Sequence, residues 1–173
     1  MSGAADITVL ATGGTIDKVY NLAGQLEIGP PAAQRLLEVL RTDLRIEVRS
    51  VVAKDSLDIT DADRQLLAEA VDNLESASVV ITHGTDTLTH TAEYLSRHAS
   101  TATAKVVVLI GALQPAAMAV SDAALNLGAA VLASQTLKPG VYVCMSGRAV
   151  PAGEARKDPN TGHFVRQARP QTP

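Results

Sequence analysis

The chain has 173 residues, which is enough to bury one sizeable core and is typical of a single domain. Its formal net charge is −3 and only 2% of its residues are aromatic. It therefore offers neither a cationic surface for phosphates nor rings for stacking bases, and we expect no nucleic-acid partner.

Five runs rich in β-branched residues alternate with helix-like stretches along the chain. The runs are Ile7–Ala11, Ile46–Val52, Ser78–Thr82, Val106–Ile110 and Val141–Met145. Strands that alternate with helices predict an α/β fold. Right-handed crossovers would give a doubly wound, mostly parallel sheet of the Rossmann-like or flavodoxin-like kind, with helices on both faces. We expect a single domain over residues 1–173, with its core at about 6–157 and a hairpin or tail at 158–173.

Four helices are predicted between these runs. Apolar residues at helical spacing predict the first two: Leu36, Leu37, Leu40 and Leu44, then Leu66, Leu67, Ala70, Val71 and Leu74. Thr60, followed three residues later by Asp63, is a plausible cap for the second helix. The third helix follows Asp86 and Thr87, and the fourth runs through Ala123–Leu132.

The loops after the strands are where chemistry is expected, because doubly wound sheets bind ligands beyond the carboxyl ends of their strands. Thr15 follows the pair Gly13-Gly14 after the first strand, and glycines let backbone and ligand approach closely. Thr85 and Asp86 follow the third strand. A Thr or Asp there could equally be the N-cap of the next helix.

Other chemistries fit these loops poorly. Neither a dinucleotide fingerprint nor a P-loop pattern is present, so no cofactor is predicted. His83 and His90 have no third ligand at a recognisable spacing, so no metal is predicted. Cys144 lies in an apolar run and is expected to be a buried thiol. By composition alone, Lys157 would be read as part of a solvated charged face.

Compartment and membrane contact are also predicted from composition. No apolar run approaches the roughly 20 residues that cross a bilayer, so we expect no membrane contact. The single Cys144 cannot form an internal disulfide, and the first residues lack the basic and then apolar order of a secretion signal. These features predict a cytoplasmic protein.

Two of the strand-end loops resemble the signature motifs of the bacterial-type L-asparaginase family. They read Leu10-Ala11-Thr12-Gly13-Gly14-Thr15-Ile16 and Ile81-Thr82-His83-Gly84-Thr85-Asp86-Thr87. Lys54–Thr60 looks like the family's substrate-contacting loop, and Gly111–Pro115 is a further match. The resemblance covers about residues 6–157 and implies a short-chain form that lacks the C-terminal domain of the familiar members.

The resemblance implies a role for each matching residue. Thr15 would be the nucleophile, and Tyr20, in a mobile loop, its hydroxyl partner. Thr85, Asp86 and Lys157 would form a second cluster of hydroxyl, carboxylate and ammonium. The groups that hold the α-amino and α-carboxylate of the substrate would be Asp55, Ser56, Thr85 and Asp86.

The implied activity is hydrolysis of L-asparagine to L-aspartate and ammonia, with weak or no glutaminase activity, in a homodimer or homotetramer. A threonine hydroxyl needs a base, which is either Tyr20 or the Thr85–Lys157 pair. The missing second domain would lend an acidic residue to a neighbour's site. Here that contact is replaced by another subunit, left open, or absent because the chain is a fragment; we expect a complete short enzyme.

Two rival functions fit the same motifs. One is a non-catalytic regulatory protein that binds aspartate or asparagine, and the other is an amidase subunit that feeds ammonia to a partner. The matching residues all carry competent side chains, which favours catalysis.

Overall fold

The computed structural model describes residues 4–98 and 104–167. Its main sheet is built from β1 (Ile7–Gly13), β4 (Ile46–Lys54), β5 (Ser78–Thr82), β6 (Val106–Ile110), β7 (Gly140–Met145) and β8 (Arg148–Pro151). The strand order is β4-β1-β5-β6-β7-β8. All pairs are parallel except β7 with β8. The predicted α/β fold with its mostly parallel sheet and all five predicted strands are confirmed. The sequence left the strand order open between the Rossmann-like and flavodoxin-like kinds, and the observed order is flavodoxin-like.

Two small antiparallel hairpins accompany the sheet. The first joins β2 (Lys18–Tyr20) to β3 (Leu26–Ile28), and the second joins β9 (Ala155–Lys157) to β10 (Phe164–Arg166). The second overlaps the hairpin or tail predicted at 158–173, but its first strand lies before that segment. The end of the predicted tail, from 168, lies outside the described residues. The first replaces the loop predicted around Tyr20.

Four helices connect the strands: α1 (Ala32–Leu37), α2 (Asp61–Asp72), α3 (Leu88–His98) and α4 (Ala123–Thr136). The predicted cap of α2 is a full capping box. The Thr60 hydroxyl accepts the Asp63 amide at 3.2 Å, and the Asp63 carboxylate accepts the Thr60 amide at 2.8 Å. Both orphan donors at the start of the helix are thereby satisfied.

Helix α1 is shorter than predicted. The leucine spacing predicts a helix that reaches Leu44, but the helix ends at Leu37. Farther along, the Thr42 hydroxyl accepts the amide of Leu44 at 3.1 Å. Such a local side-chain turn competes with helical hydrogen bonding.

Helix α4 lies on a different face of the sheet from the one predicted. It lines a common groove with α1, whereas α2 packs against α3. The crossover from β1 to β4 runs toward one edge of the sheet and that from β6 to β7 toward the other. The connections through α1 and α4 lie on the same face but run in opposite directions across the sheet, so the two connections have opposite hands. With the usual right hand for the connection through α1, the connection through α4 is left-handed. This corrects the prediction of right-handed crossovers throughout.

The core lies on both faces of the sheet and is almost entirely aliphatic. Strands β5 and β6 are buried along nearly their whole length, and Leu88, Ala92 and Leu95 of α3, which packs chiefly on β7, belong to the same core. Because the central strands are parallel, their carboxyl ends meet at one edge of the sheet. Among the described helices, none combines the length and hydropathy needed to span a bilayer.

Candidate active site

Three strand-end loops contact one another through glycine backbones. A Cβ atom placed on Gly14, which has a φ of 79°, would lie 2.3 Å from the Cα of Gly84. A Cβ on Gly84 would lie 2.5 Å from the Cβ of Ser56. Both distances are far shorter than any real Cβ contact, so each contact needs glycine. Thr15 and Thr85 each directly follow a glycine of this contacting pair, which brings the two motif loops together.

Backbone contacts with Lys54 fix the first motif loop immediately before Thr15. The Gly14 amide donates to the carbonyl of Lys54 at 2.9 Å, across the β1–β4 pair. Gly13 has a φ of 93°, and a Cβ there would meet the same carbonyl at 2.5 Å. Thr15 then opens a 3-10 turn that ends at Asp17 and is itself half-buried. The hydroxyl therefore stands on a backbone with little freedom to move.

Asp17 lies beneath this turn with its carboxylate buried. Burial raises the pKa of Asp17 to about 6, although the amides of Ala32 and Gly13 act in the opposite direction. The Ala32 amide donates to the carboxylate at 2.8 Å. The backbone carbonyl of Asp17 accepts the Gly29 amide at 2.8 Å. Asp17 thus links the Thr15 turn to the base of the β2–β3 hairpin and to the start of α1.

The second cluster implied by the resemblance is assembled in the structure. The Lys157 ammonium donates to the Thr85 hydroxyl at 3.0 Å and to the Asp86 carboxylate at 2.6 Å. Thr85 is only 7% exposed. The charged stretch around Lys157 is strand β9, which packs against α3 and so reaches the second motif loop. Asp86 pairs with this lysine, a contact that a purely capping role does not require.

A buried histidine, His83, connects the second motif loop to α3 through hydrogen bonds. His83 Nδ1 lies 2.8 Å from the Gly84 carbonyl, and Nε2 lies 2.9 Å from the Thr91 hydroxyl. A carbonyl only accepts, so Nδ1 carries the proton and Nε2 accepts from Thr91. Thr91 in turn accepts from Arg64 at 3.0 Å. Burial lowers the pKa of His83 to about 4, which keeps the ring neutral.

Two predicted substrate-binding residues of the third loop, Asp55 and Ser56, form hydrogen bonds within the chain. Ser56 is buried, and its carbonyl accepts the Thr87 hydroxyl at 2.7 Å. Asp55 accepts the Lys18 ammonium at 2.7 Å, and this hydrogen bond is the main reason that the pKa of Asp55 is lowered. Lys18 was not predicted from the sequence, since no motif marks it. Its position matters only once the 3-10 turn and hairpin that carry it are known.

Tyr20 is placed differently from the other predicted residues. It ends β2 and is 64% exposed. Within the described part of the chain its hydroxyl makes no hydrogen bond, so the implied pair with Thr15 is not formed. The turn beside it is closed by Asn21, whose side chain accepts two amides.

No metal-binding cluster is evident in residues 4–98 and 104–167, where no three His, Cys, Asp or Glu side chains gather closely enough to hold an ion. Cys144 is buried as predicted, and burial raises the pKa of its thiol. The groups gathered at this edge are threonine hydroxyls with carboxylate and ammonium groups beside them.

Comparison with known proteins agrees with this geometry. Residues 6–164 match the family described as Asparaginase, N-terminal. A probable periplasmic L-asparaginase of Haemophilus influenzae is 35% identical, over 93% of this chain and 49% of the relative. A glutamyl-tRNA(Gln) amidotransferase subunit of Methanococcus vannielii is 32% identical, over 82% of this chain and 34% of the relative.

A solved structure gives the same result. The thermostable L-asparaginase from Thermococcus kodakarensis superimposes with a TM-score of 0.80 at 29% identity, and the match covers 92% of this chain and 50% of that one. The chain spans about half the length, or less, of the relatives it matches. It belongs to the asparaginase family, and it corresponds to the N-terminal domain of the longer members.

Proposed function

We propose that the chain is an amidohydrolase that converts L-asparagine to L-aspartate and ammonia, with Thr15 as the nucleophile and weak or no activity on glutamine. The observation that supports this best is the Gly14–Gly84 contact. It joins the Thr15 turn to the cluster of Thr85, Asp86 and Lys157, in a chain that belongs to the asparaginase family.

The proposed reaction has two halves. A base takes the Thr15 proton while Oγ attacks the side-chain amide carbon. The carbon–nitrogen bond then breaks, the departing nitrogen takes up a proton, and ammonia leaves. Water next attacks the acyl-enzyme ester, which releases aspartate and restores the hydroxyl.

The geometry supports the Thr85–Lys157 pair as the base in preference to Tyr20. Lys157 Nζ lies within hydrogen-bond distance of the Thr85 hydroxyl, and Asp86 holds it in place. In the proposed step the lysine is the neutral amine, which accepts the proton. Tyr20 is mostly exposed, and a base must lie within hydrogen-bond reach of the proton it removes.

Backbone amides of the two motif loops are candidates for the oxyanion hole. The Gly14 amide is occupied by the Lys54 carbonyl, so the proposed donors are the amides of Thr15, Gly84 and Thr85. Each such donor typically contributes roughly 3–4 kcal/mol to the transition state.

A second candidate function is an amidase subunit that supplies ammonia to a partner. The similarity to an amidotransferase subunit favours it. The regulatory alternative is a protein that binds aspartate or asparagine without turnover. We also propose that the chain acts in the cytoplasm as a homodimer or homotetramer.

The test is ammonia release by the purified chain from L-asparagine and L-glutamine. We compare the wild type with Thr15→Val, which removes the hydroxyl but keeps the shape, and with Thr136→Val on the exposed end of α4 as the control. Thr15→Val should lose at least about 10³-fold in kcat, and the control should not change. Activity of Thr15→Val within about tenfold of the wild type would remove Thr15 as the nucleophile. Binding of L-aspartate without any turnover would favour the regulatory alternative.

A further inference from the structure

We propose that Asn126 is a positioning residue for the reaction, because it holds Gly111 against the second motif loop and thereby keeps the Thr85 hydroxyl directed at Lys157. This role rests on the proposed function, in which Thr85 and Lys157 form the base. It goes beyond that function because it depends on the loop Gly111–Pro115 after β6, which the proposed reaction does not use.

The loop after β6 supports the second motif loop through the bare backbone of Gly111. A Cβ atom placed on Gly111 would lie 2.6 Å from the carbonyl oxygen of His83 and 3.0 Å from Thr85 Cγ2. The first distance is too short for any real Cβ atom, so this close approach needs glycine. The methyl group of Thr85 therefore packs on the backbone of Gly111.

This contact determines the direction of the Thr85 hydroxyl. The methyl and hydroxyl groups of a threonine are attached to the same carbon atom, so a contact that fixes one of them also fixes the other. The hydroxyl lies 3.0 Å from Lys157 Nζ. Rotation about χ1 to another staggered position would move the methyl group away from Gly111 and take the hydroxyl out of this hydrogen bond. The position of Gly111 thus controls the contact on which the proposed base depends.

Asn126 fixes the position of Gly111 from the first turn of α4. The residue is only 1% exposed. Its Nδ2 donates to the Gly111 carbonyl at 3.0 Å and to the Asp122 carboxylate at 2.9 Å, and its Oδ1 accepts the Ser146 amide at 3.2 Å. Both ends of the side-chain amide therefore have the partners that their chemistry requires. One side chain joins the end of β6 to the turn after β7.

Asp122, the N-cap residue of α4, holds the rest of the same loop. Its carboxylate accepts the Leu113 amide at 2.9 Å and the Gln114 amide at 3.1 Å. Asp122 and Asn126 are four residues apart, so their side chains lie on the same side of the helix. Among the described residues, Asn126 is the one whose side chain donates to the Gly111 carbonyl. The helix therefore fixes Gly111 through Asn126 and the residues that follow through Asp122.

NMR tests this role by measuring the χ1 angle of Thr85. The three-bond couplings from Cγ2 to the backbone nitrogen and to the carbonyl carbon show whether χ1 occupies one staggered position or several. The wild type should show one position. Asn126→Ala removes the hydrogen bond to Gly111, so the Thr85 couplings should become averages over more than one position. Ser134→Ala is the matched control, because Ser134 is also polar and buried but lies near the other end of α4. Its couplings should equal those of the wild type.

Ammonia release from L-asparagine by the same variants tests the link to the reaction. Asn126→Ala should lower kcat by about tenfold or more, as expected when a catalytic group is displaced. Ser134→Ala should retain the wild-type value. The loss should be absent when Asn126→Ala is combined with Thr85→Val, because valine has no hydroxyl to direct. An equal loss with and without Thr85→Val would overturn the proposal, since Asn126 would then act on another group.

The opposing outcomes distinguish this role from the proposed function. If the wild type releases no ammonia, the proposed function fails, and the couplings still test whether Asn126 directs the Thr85 hydroxyl. A single χ1 position of Thr85 in folded Asn126→Ala would overturn that role. If Asn126→Ala does not fold, Asp122→Ala replaces it, because Asp122 is only half-buried and holds both the same loop and the Asn126 amide. Thr85 couplings that are unchanged in Asp122→Ala would then overturn the proposal.

Discussion

Lys157 reaches the site only through contacts made across the fold, from β9 to the second motif loop. We predict that Lys157→Met lowers kcat for L-asparagine by about 10²-fold or more, because the Thr85 hydroxyl loses its partner and Asp86 is left unpaired. Steady-state ammonia release measures the effect. Arg156→Met is the control, since Arg156 neighbours Lys157 in the strand and is exposed. Equal kcat values in the two variants would show that another group assists Thr85.

Single residues of the site were predictable where a motif marks them. The glycine–threonine pairs of both loops carry a signal in the sequence, because each places a hydroxyl directly after a glycine, which allows close approach, at the end of a strand. Lys18 and Asp17 carry none. A lysine–aspartate pair separated by 37 residues and a carboxylate buried by the approach of α1 depend on tertiary packing, which no local pattern encodes.

The contact between Gly84 and the Ser56 loop gives a prediction at the level of elements. Gly84→Ala should destabilise the fold by about 1–3 kcal/mol, since its Cβ would lie 2.5 Å from the Cβ of Ser56 and cannot be accommodated without a shift. Gly128→Ala is the matched control: nothing lies within 4 Å of its Cβ position on α4. That variant should be stabilised by about 0.5–1 kcal/mol. Urea unfolding compares the two, and equal effects would contradict the close contact.

The β2–β3 hairpin gives a second prediction for an element. Tyr20→Ala should impair kcat and KM together, because a segment that closes over a site and excludes water affects both. Tyr20→Phe keeps the ring and removes only the hydroxyl, so it should retain most of the activity. Steady-state kinetics on L-asparagine separates the two roles. If Tyr20→Phe is as impaired as Tyr20→Ala, the hydroxyl itself takes part in the reaction.

Elements with a strong pattern were predicted well and the others were not. Strands β5 and β6 are continuous apolar runs, and their predicted bounds agree with the structure. The hairpin strands at 18–20 and 26–28 are three residues each and largely exposed, so they carry no alternating pattern. The left-handed connection through α4 was missed because a helix that is apolar all round does not reveal which face it packs on.

Asp17 and His83 are buried groups of the described chain whose pKa values respond to folding in opposite directions. The pKa of Asp17 rises from 3.8 to about 6, so the folded state binds more protons between these values and loses stability as pH rises through them. The pKa of His83 falls from 6.5 to about 4, so the folded state gains stability as pH rises over that range. The two slopes largely cancel between about pH 4 and pH 6.

Asp17→Asn should remove one of the two opposing contributions to the pH dependence of stability. The free energy of unfolding of the variant, minus that of the wild type, should increase between about pH 4 and pH 6 and be flat outside that range. The total change should be at most about 3 kcal/mol. Urea unfolding at several pH values measures it. Asp43→Asn, at an exposed position, should give a flat difference. A flat difference for Asp17→Asn would show that its carboxylate is not desolvated by folding.

The outer face of α4 leads to a prediction about assembly. The helix has no charged residue, and Leu125 and Leu132 are 67% and 63% exposed. Gly128 and Ala129 lie midway between them, so the arrangement of large and small residues on this face is the same in both directions along the helix. Such a face suits a two-fold contact with a second copy. Leu132→Glu should convert a dimer to a monomer in sedimentation. The control is Leu66→Glu, at another exposed leucine, on α2. Equal masses for both variants would place the contact elsewhere.

The contact between Gly14 and Gly84 also sets where this molecule tolerates change. Loops that touch through bare backbone cannot be lengthened or given new side chains, so the edge that carries the two motif loops is closed to insertion. The β2–β3 hairpin differs: Leu22 at its tip is fully exposed, and nothing lies near the Cβ position of Gly24. Extra residues placed at that tip should leave the sheet untouched. Insertions, whether by selection or by design, should therefore be accepted at the tip of the hairpin.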